Sequence, residues 1–286
     1  MASFCGRLRR RPARYVVAGL LLAAGLLTGC SAVTGAGRGP ASPAATGATD
    51  AGATDAATAL QAEFVSVIGR VLPSVVEIRT SSGLGSGVVL DSDGDIVTNA
   101  HVVGDASSFQ VLTASSAAQA AVEAQAPLTA VLVGSCPSDD LAVIRVGDAA
   151  GLRPATFGDP ATVAVGDIVL AIGSPLGLGG SVTEGIVSAV GRSVTEPAST
   201  RAPAAVLTDV IQTSAAINPG NSGGALVSLN GEVIGIPTLA AVNRSEGGAA
   251  PGIGFAIPAS TAVRVAGQLA DAGQSGSSAV PAGCHR

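Results

Sequence analysis

The 286-residue sequence contains no tryptophan and no lysine, and its aromatic residues number six, five phenylalanines and one tyrosine. Proteins that bind single-stranded nucleic acid stack its bases on aromatic side chains, so this composition argues against such a role. All 15 basic residues are arginines, and five of them lie within the first fourteen positions. Beyond those positions, ten arginines remain against 20 acidic residues, a net charge of −10 that makes nucleic acid a poor partner.

Histidine is also scarce, with two residues, His101 and His285. A multi-histidine zinc site is therefore excluded, and Cys136 with Cys284 does not supply the missing ligands. We expect neither a metal nor a cofactor. A histidine that acts as a general base must in practice be His101, because His285 is the penultimate residue.

The sequence begins with a basic stretch and an apolar run, Val16 to Leu27, that is too short to span a bilayer comfortably. This pattern predicts an export signal over residues 1–29. The run ends in Leu27-Thr28-Gly29-Cys30, which resembles a bacterial lipobox whose Cys30 thiol takes the lipid. The alternative is an ordinary secretory signal with an accidental cysteine. A lipobox predicts an extracytoplasmic protein of the bacterial envelope, anchored to the membrane by its N-terminal lipid.

Two of the four cysteines remain once the signal and the lipid site are assigned, namely Cys136 and Cys284. Leftover thiols outside the cytoplasm often form a disulfide. The alternative is two separate free cysteines.

A tether, two helices and a tail are predicted around the central part of the chain. Residues 30–57 are rich in Ala, Gly, Thr and Pro, too poor in large apolar groups to offset their ordering entropy, and are predicted to form a disordered tether. Thr58 and Gln61 have capping-box spacing and predict a short helix that Pro73 stops. Its apolar stripe consists of Leu60, Phe64, Val67, Ile68 and Val71. A closing helix is expected over Ala259–Ala270, and a tail over 273–286.

Short β-rich runs, separated by turn residues, fill the space between the two helices. About twelve such runs predict an all-β sandwich or a pair of barrels, with Gly147–Asp159 as the joint. They are Ser74–Thr80, Ser86–Leu90, Ile96–Asn99, Phe109–Leu112, Thr129–Val133, Leu141–Val146, Ile168–Ile172, Val182–Val190, Val206–Thr213, Gly224–Ser228, Val233–Ile236 and Gly254–Ile257. The segment Asp91–Asp95 partly resembles a calcium loop, but its twelfth position is Val102, so a hairpin turn is the better interpretation.

Three short motifs carry residues suited to nucleophilic catalysis. His101 ends a β-rich run, Asp139 and Asp140 precede an apolar strand, and Ser222 lies in the turn Pro219–Gly224. Each is weak alone, because a lone histidine is usually passive, and acidic or glycine-rich turns are common. Their order, His–Asp–Ser on two successive β halves, is that of the chymotrypsin-type triad.

The sequence resembles the HtrA/Deg branch of the trypsin-like serine proteases over about residues 60–270. The motifs that carry the resemblance are Gly85–Val89, Thr98–Val103, Asp140–Ile144, Gly173–Gly177, Ser181–Ser188, Asn218–Gly224 and Gly252–Pro258. The resemblance implies a protease domain over 58–272 with two six-stranded antiparallel β-barrels, about 74–150 and about 160–258. Typical members of the family continue into PDZ modules, which do not follow in this sequence, so regulation through such a module is not expected.

The resemblance and the chemistry assign the same roles. Ser222 attacks the scissile carbonyl, His101 transfers the proton, and Asp140 rather than Asp139 orients the imidazole. Main-chain amides of the turn Gly220, Asn221 and Ser222 are expected to form the oxyanion hole. Digestive relatives carry Asp before the nucleophile, to pair with a freshly cut N-terminus. An Asn at position 221 cannot make that ion pair, so activation by clipping is not expected.

The substrate pocket is expected to be uncharged and to prefer a small or medium aliphatic residue before the cut. Its predicted residues are Ala215, Ala216, Ile217, Thr238, Gly254 and Phe255. The resemblance also places Thr238 near Asp140 and the substrate backbone. Unfolded or envelope polypeptides are the expected substrates, and a homotrimer is an open alternative to a monomer. The competing function is a catalytically idle relative that binds polypeptides as an envelope chaperone.

Overall fold

The computed structural model describes residues 51–81, 83–113, 126–174, 180–196, 204–218, 220–243, 248–275 and 283–285. The predicted signal over 1–29, the lipidation site Cys30 and the first part of the tether lie outside the described residues. So do Pro219 and most of the glycine-rich segment 177–180. Within the described part of the chain, no helix is both long enough and apolar enough to cross a membrane.

The first six strands close into an antiparallel barrel in the order β1-β2-β3-β6-β5-β4. They are β1 (Val75–Thr80), β2 (Gly83–Val89), β3 (Asp95–Thr98), β4 (Ser108–Thr113), β5 (Leu128–Cys136) and β6 (Leu141–Val146). Alternation of β-branched residues determines which side chains enter the barrel, because successive strand residues face opposite sides. Val76, Ile78 and Ile96 belong to the cluster that fills its interior.

The second six strands close into another antiparallel barrel, in the order β10-β11-β12-β9-β8-β7. They are β7 (Ile168–Gly173), β8 (Ser181–Glu196), β9 (Ala205–Thr213), β10 (Ala225–Ser228), β11 (Val233–Asn243) and β12 (Gly248–Pro258). All twelve predicted strands are present. The prediction of two six-stranded antiparallel barrels is therefore confirmed.

Three helices accompany the barrels, α1 (Ala51–Val71), the one-turn α2 (Ala100–Val103) and α3 (Ala259–Ser275). The start of α1 differs from the prediction, because Thr58 lies inside the helix and not at its cap. The alanine-rich stretch before Thr58 has high helix propensity, so residues 51–57 extend the helix into the predicted tether. The helix α3 likewise continues five residues beyond Ala270, into the predicted tail.

The largest apolar cluster lies between the two barrels and includes both long helices. Val75 and Val88 contribute from the first barrel and Leu170 and Ile172 from the second, while α1 adds Val67 and Val71. The helix α3 packs against strands of both barrels. A rigid junction follows, and the cleft between the barrels is where the chemically active side chains meet.

The hairpin between β2 and β3 is an Asp-rich turn, as predicted. Oδ1 of Asp91 accepts hydrogen bonds from the N–H groups of Asp93 and Asp95, at 2.9 and 3.1 Å. The buried carboxylate of Asp95 binds Arg145 on β6 with two contacts of 2.6 Å. This hydrogen bonding raises the pKa of the Arg145 guanidinium above its ordinary value, and burial acts in the opposite direction.

Candidate active site

His101 lies in the one-turn helix α2, immediately after β3. Asn99 has extended backbone angles and caps this helix, which ends at Gly104 with a positive φ of 51°. Val102 and Val103, the last two residues of the helix, are buried in the apolar cluster of the first barrel and hold the helix against it. The imidazole keeps about a quarter of its surface exposed, at 23%. It is therefore fixed at its base and accessible from the cleft.

Asp140 is the carboxylate that His101 contacts. Nδ1 of His101 lies 2.9 and 3.0 Å from its two oxygens, and the main-chain N–H of His101 donates to the same carboxylate at 3.0 Å. Asp140 has a φ of +50°, a left-handed conformation that Asp tolerates better than most residues. Asp139 points elsewhere, toward Ser138. The turn thus presents the second of its two acidic residues to the histidine.

Thr238 on β11 connects Asp140 to Ser222. Its hydroxyl donates to Oδ2 of Asp140 at 2.5 Å, and its main-chain carbonyl accepts a hydrogen bond from the Ser222 hydroxyl at 3.1 Å. His101 and Asp140 come from the first barrel, whereas Thr238 and Ser222 come from the second. Thr238 therefore links the two sides of the cleft, with its side chain on Asp140 and its main-chain carbonyl on Ser222.

The turn that carries Ser222 is tightly packed. Gly223 has a φ of +80°, and a Cβ there would lie 2.3 Å from the carbonyl oxygen of Ser86. Among the described residues, the N–H groups of Gly220 and Ser222 donate to no protein acceptor. The N–H of Asn221 donates to the carbonyl of Asn218 at 3.0 Å. Of the three residues predicted for the oxyanion hole, Asn221 thus has its N–H occupied in this arrangement.

The residues predicted for the substrate pocket separate into two groups. Ala215 and Ile217 are buried together, and a Cβ on Gly254 would lie 2.5 Å from Ile217 and 3.3 Å from the carbonyl of Ala215. Ala215 and Ile217 are buried in a cluster of the second barrel and Ala216 between them is exposed; these residues and Gly254 are called the proposed pocket wall.

Phe255 and Thr238 do not belong to that wall. Phe255 packs in the cluster between the barrels, because neighbouring residues of β12 face opposite sides of the strand. Its side chain therefore lies away from Ala215 and Ile217. Thr238 has its side chain on Asp140, the residue near which the resemblance places it.

The sulfur atoms of Cys136 and Cys284 lie 2.01 Å apart, at bonding distance. Cys136 ends β5 and precedes the turn that carries Asp140. Ser135 and His285 exchange two main-chain hydrogen bonds of 2.7 Å. The C-terminal segment is thereby attached to the base of the Asp140 turn. Asp139 lies beside the two sulfurs, but bonded sulfurs are not thiolate ligands for a metal.

Sequence reasoning missed several buried polar residues around the site. Asn99 donates to the main-chain carbonyl of Asp140 at 2.9 Å, and Thr98 donates to the carbonyl of Ser86 at 2.6 Å. Ser86 and Ser174 are joined by a hydrogen bond of 2.8 Å across 88 positions of sequence. The signal available for Ser86 was a hydroxyl residue between two glycines in a β-rich run, which by itself assigns no role.

Comparison with known proteins gives a consistent result. Residues 85–236 match the family described as a trypsin-like peptidase domain. The chain is 37% identical to the serine protease PepD of Mycobacterium tuberculosis over 284 residues, which cover 94% of this chain and 61% of that protein. It is 40% identical to the serine endoprotease DegS of Salmonella typhimurium over 194 residues, 68% of this chain and 49% of that protein.

A solved structure titled as the HtrA-type protease AlgW with a tripeptide superposes with a TM-score of 0.60 and 38% identity. The match covers 73% of this chain and 64% of that one. The chain thus spans about half to three fifths of the length of the two named relatives. The matched domain, the two barrels and the sequence identity agree, and the chain belongs to the HtrA-type trypsin-like serine protease family.

Proposed function

We propose that this protein is a serine endopeptidase in which Ser222 is the nucleophile, His101 the general base and Asp140 the residue that orients the base. The observation that carries the proposal is the contact between His101 Nδ1 and the buried Asp140 carboxylate, at 2.9 Å. An imidazole held in this way presents its other nitrogen to the cleft, where the second barrel supplies the serine.

The reaction begins with a change of partner for the Ser222 hydroxyl. In the resting arrangement it donates to the carbonyl of Thr238. Rotation toward Nε2 of His101 transfers the proton to the imidazole as the serine oxygen bonds to the scissile carbonyl carbon. The imidazolium then gives that proton to the departing amine, and water repeats the sequence to release the acyl group and restore the serine.

Gly220 and Ser222 supply the donors for the oxyanion that forms during these steps. Their N–H groups lie on one turn and have no other acceptor among the described residues. Two preorganised donors of this kind stabilise a tetrahedral intermediate by about 3 kcal/mol each. The assignment excludes Asn221, whose N–H is committed to Asn218.

A small or medium aliphatic side chain is the proposed preference before the cut. The segment is apolar and uncharged: Ala216 is exposed, and Ala215 and Ile217 on either side of it are buried, with Gly254 against them. A basic substrate residue would be buried against this wall without a counter-charge, at a large desolvation cost.

The test uses the full-length chain, its Ser222→Ala variant, and Ser228→Ala as a matched control. Ser228 is a half-buried serine of β10 whose hydroxyl oxygen is buried and has no partner within the described structure. We expect the parent and Ser228→Ala to cleave a mixed peptide library after Val or Ala and to react with a fluorophosphonate, and Ser222→Ala to do neither. Cleavage mainly after Arg would refute the pocket. A folded parent that neither cleaves nor reacts would favour the idle, chaperone-like relative.

Location in the envelope is a separate proposal. A relative described as a probable periplasmic serine endoprotease, DegP-like, from Bartonella henselae is 44% identical over 189 residues, 66% of this chain and 34% of that protein. We propose that this chain is likewise exported and carries lipid on Cys30. Mass spectrometry of the mature N-terminus, with Cys30→Ser as the comparison, tests the modification, and an unmodified Cys30 peptide contradicts it.

A further inference from the structure

Ser86 is a fully buried residue of β2, and its polar atoms bind the nucleophile turn of the other barrel. Its N–H donates to the carbonyl of Ser222 at 2.9 Å, and its hydroxyl donates to the carbonyl of Gly220 at 2.5 Å. The hydroxyl oxygen also accepts the N–H of Ser174 at 2.8 Å, and the Ser86 carbonyl accepts the Thr98 hydroxyl at 2.6 Å. One residue, through its side chain and its main chain, therefore joins β2 and β3 to two loops of the second barrel.

These contacts fix two peptide planes on either side of the proposed oxyanion donor. The Gly220–Asn221 peptide is held at its oxygen by the Ser86 hydroxyl and at its N–H by Asn218. The Ser222–Gly223 peptide is held at its oxygen by Ser86 N–H and at its N–H by the carbonyl of Pro237, at 2.9 Å. The Ser222 N–H lies between these planes, so its direction depends on both.

The turn has little room to adopt another arrangement around Ser86. A Cβ on Gly223 would lie 2.3 Å from the Ser86 carbonyl oxygen and 2.4 Å from the Thr98 hydroxyl. On the other side, a Cβ on Gly173 would lie 2.7 Å from the backbone of Asn221. A water that replaced the Ser86 hydroxyl would need space that this packing does not provide.

We propose that Ser86 is a positioning residue that aligns the oxyanion donors of the second barrel with the His101–Asp140 pair of the first. The proposal rests on the proposed endopeptidase function. Ser86 does not touch the substrate. It acts through Gly220 and Ser222, whose geometry matters most when negative charge develops on the scissile oxygen, because a donor misplaced by a fraction of an ångström stabilises that charge less.

The experiment compares two full-length variants with the parent. Ser86→Ala removes the hydroxyl and keeps the N–H contact to Ser222. Ser228→Ala removes a buried serine hydroxyl of β10 and is the matched control. Each variant is assayed for kcat and KM on a cleavable peptide and for binding of a peptide boronate, which forms a tetrahedral anion on the serine. An uncleavable peptide of the same sequence reports ground-state binding.

For Ser86→Ala we expect kcat and boronate affinity to fall about 10- to 100-fold, with KM and binding of the uncleavable peptide changed less than about twofold. Ser228→Ala should keep kcat within about threefold. Parallel losses of kcat and ground-state binding in both variants would show a structural effect and overturn the proposal. Unchanged boronate affinity in a folded Ser86→Ala variant would overturn it as well.

Two further results are distinguishable. If Ser86→Ala does not unfold cooperatively, Ser86→Cys, which retains a weaker donor, is compared in the same way, and an unchanged kcat and boronate affinity overturns the proposal. A parent that neither cleaves the peptide nor binds the boronate refutes the proposed function and the role of Ser86 together. An active parent with a fully active Ser86→Ala variant refutes the role of Ser86 alone.

Discussion

Replacement of Thr238 by valine isolates the hydrogen bond between the second barrel and the Asp140 carboxylate. Thr238 is 3% exposed, and valine has nearly the same shape, so the packing is retained while the donor to Oδ2 is lost. The main-chain carbonyl that accepts the Ser222 hydroxyl also remains. The change therefore acts on how Asp140 holds His101 and leaves the position of the nucleophile turn unaltered.

The magnitude follows from the three groups that donate to this carboxylate. Asp140 is 1% exposed and accepts from His101 N–H, His101 Nδ1 and Thr238, and without Thr238 no water replaces the lost donor easily. A hydrogen bond to a charged group contributes about 1.5–3 kcal/mol. If the Thr238–Asp140 hydrogen bond stabilises the imidazolium that forms during the reaction, kcat of the Thr238→Val variant falls about 10- to 100-fold.

The assay is steady-state cleavage of a peptide with Val before the cut, together with thermal unfolding of each variant. Thr213→Val is the matched control, because this buried threonine donates to the Ile186 carbonyl at 2.9 Å and accepts from Ala215 N–H at 3.1 Å. It supports the pocket wall, so its loss should raise KM more than it lowers kcat. A folded Thr238→Val variant with kcat within twofold of the parent would show that the Asp140 contact does not assist catalysis.

Three other changes test the fold and the nucleophile turn. Arg145→Leu leaves the buried Asp95 carboxylate without its partner and should lower the free energy of unfolding, measured by urea denaturation, by about 3–5 kcal/mol. Adding Asp95→Leu should restore part of that stability, because the uncompensated charge is then removed. An Arg145→Leu variant as stable as the parent would contradict this reasoning. Reduction of the Cys136–Cys284 disulfide opens a loop of 148 residues, and the chain entropy gained by the unfolded state predicts that the free energy of unfolding falls by about 5 kcal/mol. A melting temperature that does not change with reductant would contradict the presence of this disulfide. Gly223→Ala places a Cβ 2.3 Å from a main-chain oxygen of β2 and should lower kcat at least about 100-fold. The control is Gly191→Ala. Gly191 also has a positive φ but has open space around it, so this variant should lose stability and keep its activity.

The strands could be predicted from the sequence because each β-rich run is short, alternates its apolar residues and is bounded by turn residues. The run Leu141–Val146 matches its strand residue for residue. The first residue of α1 could not be predicted from the sequence in the same way. A threonine with capping-box spacing suggested a boundary at Thr58, but the alanines before it favour continuation of the helix, and a local signal cannot decide between the two.

The candidate triad was predictable because histidine is so scarce. With His101 as the one plausible base, the acidic turn and the glycine-rich serine turn could be ordered around it. The choice of Asp140 over Asp139 rested on the apolar strand that follows, and in the structure Asp140 is the residue that contacts His101. The sequence could not show that Phe255 and Ile217 belong to different clusters, because alternation along a strand does not say which of its two faces meets which neighbours.

The sequence by itself determined the elements, the two β halves and the small set of residues that can do chemistry, because these depend on local pattern and on composition. Tertiary structure alone decided which amides of the turn are free, which residues share the pocket wall and what Ser86 contacts. Those properties depend on pairs such as Ser86 and Gly220, which are 134 positions apart in the chain. Their geometry arises only when the two barrels pack together, since no local preference specifies a contact between distant strands.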